Sequence, residues 1–205
     1  GLAGEQSMYE ATNHVNTHKG LIFSMGIFCG ALGELVSTGT GFSEEDVQRH
    51  VKKLACSLLH GSHIEGTHGQ QVLVETGAKG IRGEAESGFS TVFDMGLPVL
   101  REAMASGLTL ERSMVKTLLA LMSRTEDSNL VYRGGMEGLA FVQNHAAAIL
   151  SHADLNDERD MDFVRAFDEI CIEKNLSPGG SADLLALTAM LYLFFEENER
   201  KEGEQ

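Results

Sequence analysis

The sequence predicts an all-α fold: a single multi-helix domain over residues 1–205, with glycine-rich loops at the helix ends. Three observations carry that reading. Apolar residues recur at intervals of three and four along most of the chain, the spacing that lines one face of a helix. No long alternating run rich in Val, Ile, Thr and aromatic residues appears, so strand signals are nearly absent. Two prolines among 205 residues leave long stretches free to stay helical. Apolar residues make up 42% and charged residues 22%, ordinary proportions for a globular domain, and the length suffices to bury a core without disulfides or metals.

In chain order, Leu2 to Thr12 reads as a helix. The apolar stretch Leu21 to Val36 reads as the next; its three glycines and Glu34 make it too short and too interrupted to span a bilayer, which takes about 20 apolar residues. Ser43 and Asp46 form a capping box, and Val47, Val51, Leu54, Ala55, Leu58 and Leu59 then share one helix face. Met114, Val115, Leu118, Leu119 and Met122 repeat the pattern, as do Met161, Val164, Phe167 and Cys171. Ser177-Pro178 marks a helix start, with a capping hydroxyl and a proline in the first turn. Leu184 to Phe195 is apolar nearly all round, so that helix is expected at the centre of the fold, buried. The tally is about seven to nine helices.

The net charge of −14 argues against nucleic-acid binding, because an acidic chain repels phosphate backbones. Part of that charge is the run Glu196 to Gln205, which reads as a solvated terminus. Cys29, Cys56 and Cys171 are odd in number and far apart; they read as small core residues of a reducing compartment. With no visible signal peptide, these features predict a cytoplasmic protein that engages no membrane. His60, His63 and His68 match no strong zinc pattern.

Four polar, glycine-marked segments interrupt the apolar helices, and loops at helix ends are where a rigid scaffold carries chemistry. Asn16-Thr17-His18-Lys19-Gly20 stands before an apolar helix, where backbone amides and the helix dipole favour an anion and Lys19 adds a full charge; a capped polar turn uses the same residues. Gly80-Ile81-Arg82-Gly83-Glu84-Ala85-Glu86-Ser87-Gly88-Phe89 sets two carboxylates beside an arginine, a set that could hold Mg²⁺ and a phosphate together, or a mere turn with a local ion pair. In Asp127-Ser128-Asn129-Leu130-Val131-Tyr132-Arg133-Gly134-Gly135, Asp127 and Asn129 suit a metal or a ribose and Arg133 offers a planar fork to phosphate; the alternative is turn chemistry followed by a Gly-Gly helix break. In Ser177-Pro178-Gly179-Gly180-Ser181-Ala182-Asp183, glycines in a helix's first turn weaken it relative to alanine. That weakness makes close approach of a ligand phosphate to bare amides more attractive here than in the other three segments; the alternative is an ordinary capped helix start.

Taken in order, the four segments resemble those of the ATP:dephospho-CoA triphosphoribosyltransferase family. Its members carry Asn-Thr-His-Lys-Gly, Arg-Gly-Glu-Ala…Gly-Phe, Asp-x-Asn…Arg-Gly-Gly and Ser-Pro-Gly-Gly-(Ser/Ala)-Ala-Asp-Leu-Leu stretches. These stand here at 16–20, 81–89, 127–135 and 177–185. The resemblance implies an all-helical transferase. The ribose 2′-hydroxyl of 3′-dephospho-CoA attacks the anomeric carbon of ATP, adenine leaves, and the triphosphate stays on the product. That product is the prosthetic-group precursor of citrate lyase or, in a close variant, of malonate decarboxylase, and a downstream holo-acyl-carrier transferase takes it on.

On this resemblance Glu84, Glu86, Asp127 and Asp183 are the candidate catalytic carboxylates, stabilising the positive charge that builds on the sugar or accepting the hydroxyl proton. Glu84, Asp127 and Asp183 are also the candidate ligands of Mg²⁺ or Mn²⁺. Asn16, Thr17, His18, Lys19, Arg82, Gly83, Asn129, Arg133, Gly134, Ser177, Gly179 and Gly180 are the candidate contacts to substrate and its phosphates. The four segments are expected to share one cleft. The alternatives are another enzyme of the nucleotide N-glycosyl bond, such as a hydrolase, and a non-catalytic nucleotide-binding module. Family members also begin with a segment carrying Lys-Pro-Gly-Leu-Val-Asp and His-x-Asp-Met stretches that do not occur here. The expectation is a chain covering the C-terminal two thirds of the family length and weakly active alone. It should carry an apolar groove covered by that segment, by a separate chain bearing it, or by a homo-oligomer contact.

Overall fold

The computed structural model describes residues 1–61 and 79–203. Among the described residues are nine α-helices, one π-helical turn and no strand. The helices gather into two compact units, one of residues 1–65 and 81–90, the other of residues 66–80 and 91–205.

The first unit holds α1 (Leu2–Ala11), α2 (Lys19–Ser37), α3 (Glu44–Gly61) and, apart from its first residue, α4 (Gly80–Ser87). Helix α2 buries Ser24, Ile27, Phe28, Ala31, Leu32 and Leu35, a stripe at helical spacing, and packs against α3. At 19 residues it is long and apolar enough to cross a membrane by length and composition, contrary to the expectation that its glycines would interrupt it. Gly30 faces α3, where a Cβ would make an ordinary 3.5 Å contact with a Leu54 methyl. Cys29, expected in the core, is exposed on this helix, whereas Cys171 is buried.

The capping box starts α3 as predicted. Asp46 N–H donates to Ser43 Oγ at 3.2 Å, and Ser43 N–H donates back to the Asp46 carboxylate at 2.9 Å. Val47, Val51, Ala55 and Leu59 are buried, but Leu58 stays 49% exposed. Angular position on a helix sets the direction of a side chain, not how far along the axis its partner extends. Helix α4 ends in two consecutive left-handed residues, Gly88 (φ +79°) and Phe89 (φ +56°). A Cβ on Gly88 would stand 2.8 Å from Lys52 Cβ. The left-handed φ of Phe89 costs about 1–2 kcal/mol. It delivers a fully buried ring edge-on to Phe28 at 5.0 Å, and burial of a side chain that size is worth ~1.5–3 kcal/mol.

The second unit runs from a π-turn (Val92–Gly96) through α5 (Leu97–Ala105), α6 (Leu110–Met122), α7 (Ser128–His152) and α8 (Glu158–Glu173) to α9 (Gly179–Gly203). Helix α9 packs on the π-turn, α5, α6 and α7, the central place predicted for it. A single face made by Leu184, Leu187, Thr188 and Leu191 is buried while Leu193 is 55% exposed, so its all-round apolarity overstates its burial. Leu119, Met122, Leu130, Leu139, Val142, Phe167 and Cys171 form a core shared by α6, α7 and α8, with Val115, Leu118, Met161 and Val164 packed around it. Helix α7 kinks at Gly135 (φ +63°, ψ −168°), a conformation open essentially to glycine. That is the predicted Gly-Gly break.

Candidate functional site

In the first unit, the N-cap of α2 is His18, and the Asn16 side-chain oxygen accepts from Lys19 N–H at 3.1 Å. Thr17 is engaged with its neighbour instead, its hydroxyl 2.6 Å from His18 Nδ1. The His18 N–H donates to Met8 Sδ at 3.1 Å. The Lys19 ammonium, expected to meet phosphate, lies 3.3 Å from the Glu5 carboxylate of α1. Such partly exposed pairs are worth about 0–1 kcal/mol, so a phosphate can displace Glu5 at little expense.

The segment 80–89 differs from expectation, because it forms α4 rather than a loop. On a helix, residues two apart point roughly 200° away from each other. Glu84 and Glu86 therefore diverge and cannot grip one ion together. Glu86 faces Arg82 one turn back, at 3.6 Å. One oxygen of Glu84 is shut off from solvent, and Gly83 lies within the helix. Gly80, which belongs to the second unit, has left-handed φ (+49°), and a Cβ there would stand 2.7 Å from Ser128 Oγ.

The third and fourth segments interlock inside the second unit. Asp127 is the N-cap of α7 and is 1% exposed. Its Oδ1 accepts from the N–H groups of Asn129 (3.0 Å) and Leu130 (3.4 Å). Its Oδ2 accepts from Ser181 N–H (2.9 Å) and the Ser181 hydroxyl (3.2 Å), with the Gly180 amide also directed at the carboxylate. A single carboxylate thus caps α7 and, at the same time, the first turn of α9. The groups that approach Gly179 and Gly180 are the chain's own side chains, where a ligand phosphate was expected. A Cβ on Gly179 would lie 2.4 Å from Asn129 Nδ2, and one on Gly180 would lie 3.1 Å from the Asp127 carboxylate.

The pairing continues in antiparallel order toward Gly134. Arg133 donates from Nη1 to the Asn175 side-chain oxygen at 2.7 Å. Leu176 seats against Gly134 and Gly138, where Cβ atoms would stand 2.4 and 2.9 Å from its methyl. Asn175 takes left-handed φ (+54°) at the end of α8, and Leu176 N–H closes the turn on Cys171 O at 2.8 Å. Ser177 and Pro178 lead into α9, whose first i→i−4 bond runs from Ala182 N–H to Pro178 O at 3.0 Å. Asn175, Leu176 and Ser181 were not read from the sequence as parts of the site. The signal that could have found Ser181 is its place in a first turn opened by two glycines, where its amide needs an external acceptor.

Asp183 stands one turn into α9, half-buried, and accepts no hydrogen bond from the described residues. Burial first, and the nearby Asp127 carboxylate second, push its pKa up to about 6. Asp127 is also pushed above the usual carboxylate range by burial, against the downward pull of the amides it accepts from. Among the described residues no three His, Cys, Asp or Glu side chains gather as a metal site. With both oxygens engaged by N–H and O–H donors, Asp127 does not fit the ligand role expected of it. The side chains of His60, His63 and His68 lie outside the described residues.

Of the four residues expected to share a cleft, Arg133 and Asp183 belong to the second unit and Lys19 and Glu84 to the first.

The model of the ATP:dephospho-CoA triphosphoribosyl transferase family matches residues 1–202. The chain is 43% identical over 197 residues to the 2-(5''-triphosphoribosyl)-3'-dephosphocoenzyme-A synthase of Pectobacterium atrosepticum, covering 94% of this chain and 64% of the relative. It is 41% identical to the probable synthase of the same name from Photobacterium profundum, with 93% and 62% covered. It is 38% identical to that of Vibrio cholerae, with 94% and 63% covered. The chain therefore spans less than two thirds of the length of these curated relatives. No solved structure matches it. An ordered set of motifs, an all-helical fold and a family match over nearly the whole sequence agree: the chain belongs to the ATP:dephospho-CoA triphosphoribosyl transferase family.

Proposed function

We propose that this chain serves the transfer of the triphosphoribosyl group of ATP to the ribose 2′-hydroxyl of 3′-dephospho-CoA, in the bacterial cytoplasm, with release of adenine. Asp183 carries the reading: a half-buried carboxylate with a pKa near 6 and no hydrogen bond to satisfy among the described residues. A base poised close to neutral pH is suited to accept a proton in the transition state. In this scheme Asp183 takes the proton of the 2′-hydroxyl as its oxygen bonds to the anomeric carbon of ATP. The carbon–nitrogen bond to adenine breaks with its electron pair going to the base. Adenine leaves neutral once protonated, which balances the proton lost from the hydroxyl. The negative charge of Asp183 also favours the positive charge developing on the sugar.

Within the second unit, Arg133 supplies countercharge to the triphosphate and the Asn129 amide offers a donor to ribose; Lys19 and Arg82, in the first unit, are further candidate contacts to phosphate. Mg²⁺ or Mn²⁺ would neutralise the triphosphate, and such an ion commonly takes most of its shell from phosphates and water with one or two carboxylates. Citrate lyase is the downstream user in this reading, through the transferase that consumes the product.

The test is direct. Incubation with ATP, Mg²⁺ and 3′-dephospho-CoA should yield free adenine and an equimolar adduct retaining three phosphates, seen by mass spectrometry. Adenine without adduct would point to hydrolysis, and ligand-induced stabilisation without adenine to a binding module.

A further inference from the structure

We infer that Asp127 is a positioning residue: its carboxylate ties the first turn of α7 to the first turn of α9 and so fixes where Asp183 stands, and it neither binds the metal nor carries a proton. This rests on the reading of Asp183 as the base.

Three observations support the assignment. Asp127 is 1% exposed, so substrate cannot reach it without dismantling the contact. Each of its oxygens accepts from two donors, the pair on Oδ1 belonging to α7 and the pair on Oδ2 to α9. A carboxylate has about four acceptor sites, and a metal would have to displace at least one of those donors. Gly180 completes the case. Its missing Cβ leaves the carboxylate room at 3.1 Å, so the backbone of α9 is shaped to this side chain. Two first-turn amides of α9, those of Gly180 and Ser181, are thereby directed at the protein's own anion. A triphosphate bound nearby must then be held by side-chain cations rather than by those amides.

The experiment compares Asp127→Asn, Asp127→Ser and Asp183→Asn in the same chain. The asparagine oxygen can still accept from Asn129 and Leu130, but its NH₂ would confront the Ser181 N–H donor to donor. Serine remains a good cap for α7 yet is too short to reach α9. Both changes should therefore sever one arm only. Amide hydrogen exchange should quicken about tenfold or more at Gly180 and Ser181 and change little at Leu130. In the adenine-release assay kcat should fall roughly 10²-fold, the scale of a small misplacement of a reacting group. The KM for ATP and the Mg²⁺ concentration giving half-maximal rate should stay within about threefold, a split that a general loss of structure would not give.

A raised Mg²⁺ requirement would make Asp127 a ligand and overturn the inference. Unchanged exchange at Ser181 in a folded variant would show that no tie existed. If one variant fails to fold, the other gives the same readouts. If the unaltered chain makes no adduct, the functional reading fails, while the exchange data still decide the tie.

Discussion

The segments in the two units hold their charge in opposite ways. In the second unit Asp127 is sealed from water and satisfied by backbone donors on two helices, with Asp183 left half-buried beside it. In the first unit Lys19 and Arg82 sit in partly exposed pairs with Glu5 and Glu86, at 3.3 and 3.6 Å. A buried, hydrogen-bonded carboxylate is costly to move, since breaking its contacts strands an unsatisfied charge. A surface pair can be exchanged for a phosphate at almost no loss. The arrangement in the second unit is thus the rigid one, and that in the first unit the loose one.

The largest expected effect is on Asp183. Asp183→Asn should lower kcat by ~10²–10⁴-fold while leaving the helical signal intact, measured as adenine release beside circular dichroism. The unaltered chain should gain rate as pH rises through about 6 and level off above, as the base ionises. The stability sign is opposite: a carboxyl whose folded pKa exceeds the unfolded 3.8 favours the fold only when protonated, and that favour is lost as pH rises through about 6. Asp183→Asn should therefore melt higher at pH 8, by a few degrees, and no higher at pH 3.5. Turnover within about threefold of the original would remove Asp183 from the chemistry. Equal melting shifts at both pH values would mean that its carboxyl is not perturbed.

Next comes the loose region. Lys19→Ala should raise the KM for ATP about tenfold, ~1.4 kcal/mol of binding, with kcat little changed; initial rates across ATP concentrations decide this. A fall in kcat alone would place Lys19 at the reacting centre and erase the contrast. Smaller still is a glycine pair. Gly180→Ala pushes a methyl at the Asp127 carboxylate and should cost about 1–3 kcal/mol by chemical denaturation. Gly33→Ala, with nothing within 4 Å of the added carbon in mid-helix, should instead stabilise by ~0.5–1 kcal/mol. The smallest effect belongs to Glu5→Gln. Losing that surface pair should change stability by less than ~0.5 kcal/mol, and a larger loss would show that the pair is not the exchangeable contact described.

Much of the fold could be read from residue spacing. The Ser43–Asp46 box, the buried stripes of α3 and α8 and the break at Gly135 are local facts, and local patterns determine them. Leu58 and Leu193 were misjudged because exposure depends on what partner arrives, which spacing does not encode. The segment 80–89 misled more seriously: three glycines and many polar groups suggested a loop, yet residues 80–87 close as a helix and turn the two glutamates apart. The motif of glycines before Asp183 did signal a close approach to backbone. It could not say that the approaching group lies 54 residues earlier in the same chain, because that pairing exists only once α7 and α9 dock.

That separation has a kinetic side. Closing a loop of 54 residues costs on the order of 3–4 kcal/mol of chain entropy, and Asp127 must shed its water before Ser181 can replace it. During synthesis α7 can form with Asp127 as an ordinary hydrated cap, long before α9 exists to receive the other oxygen. The tie is then among the last contacts to form and the first to be lost. Severing it should leave the refolding rate nearly untouched and show up as faster unfolding, so that the residue proposed to position Asp183 would also set the lifetime of the folded state.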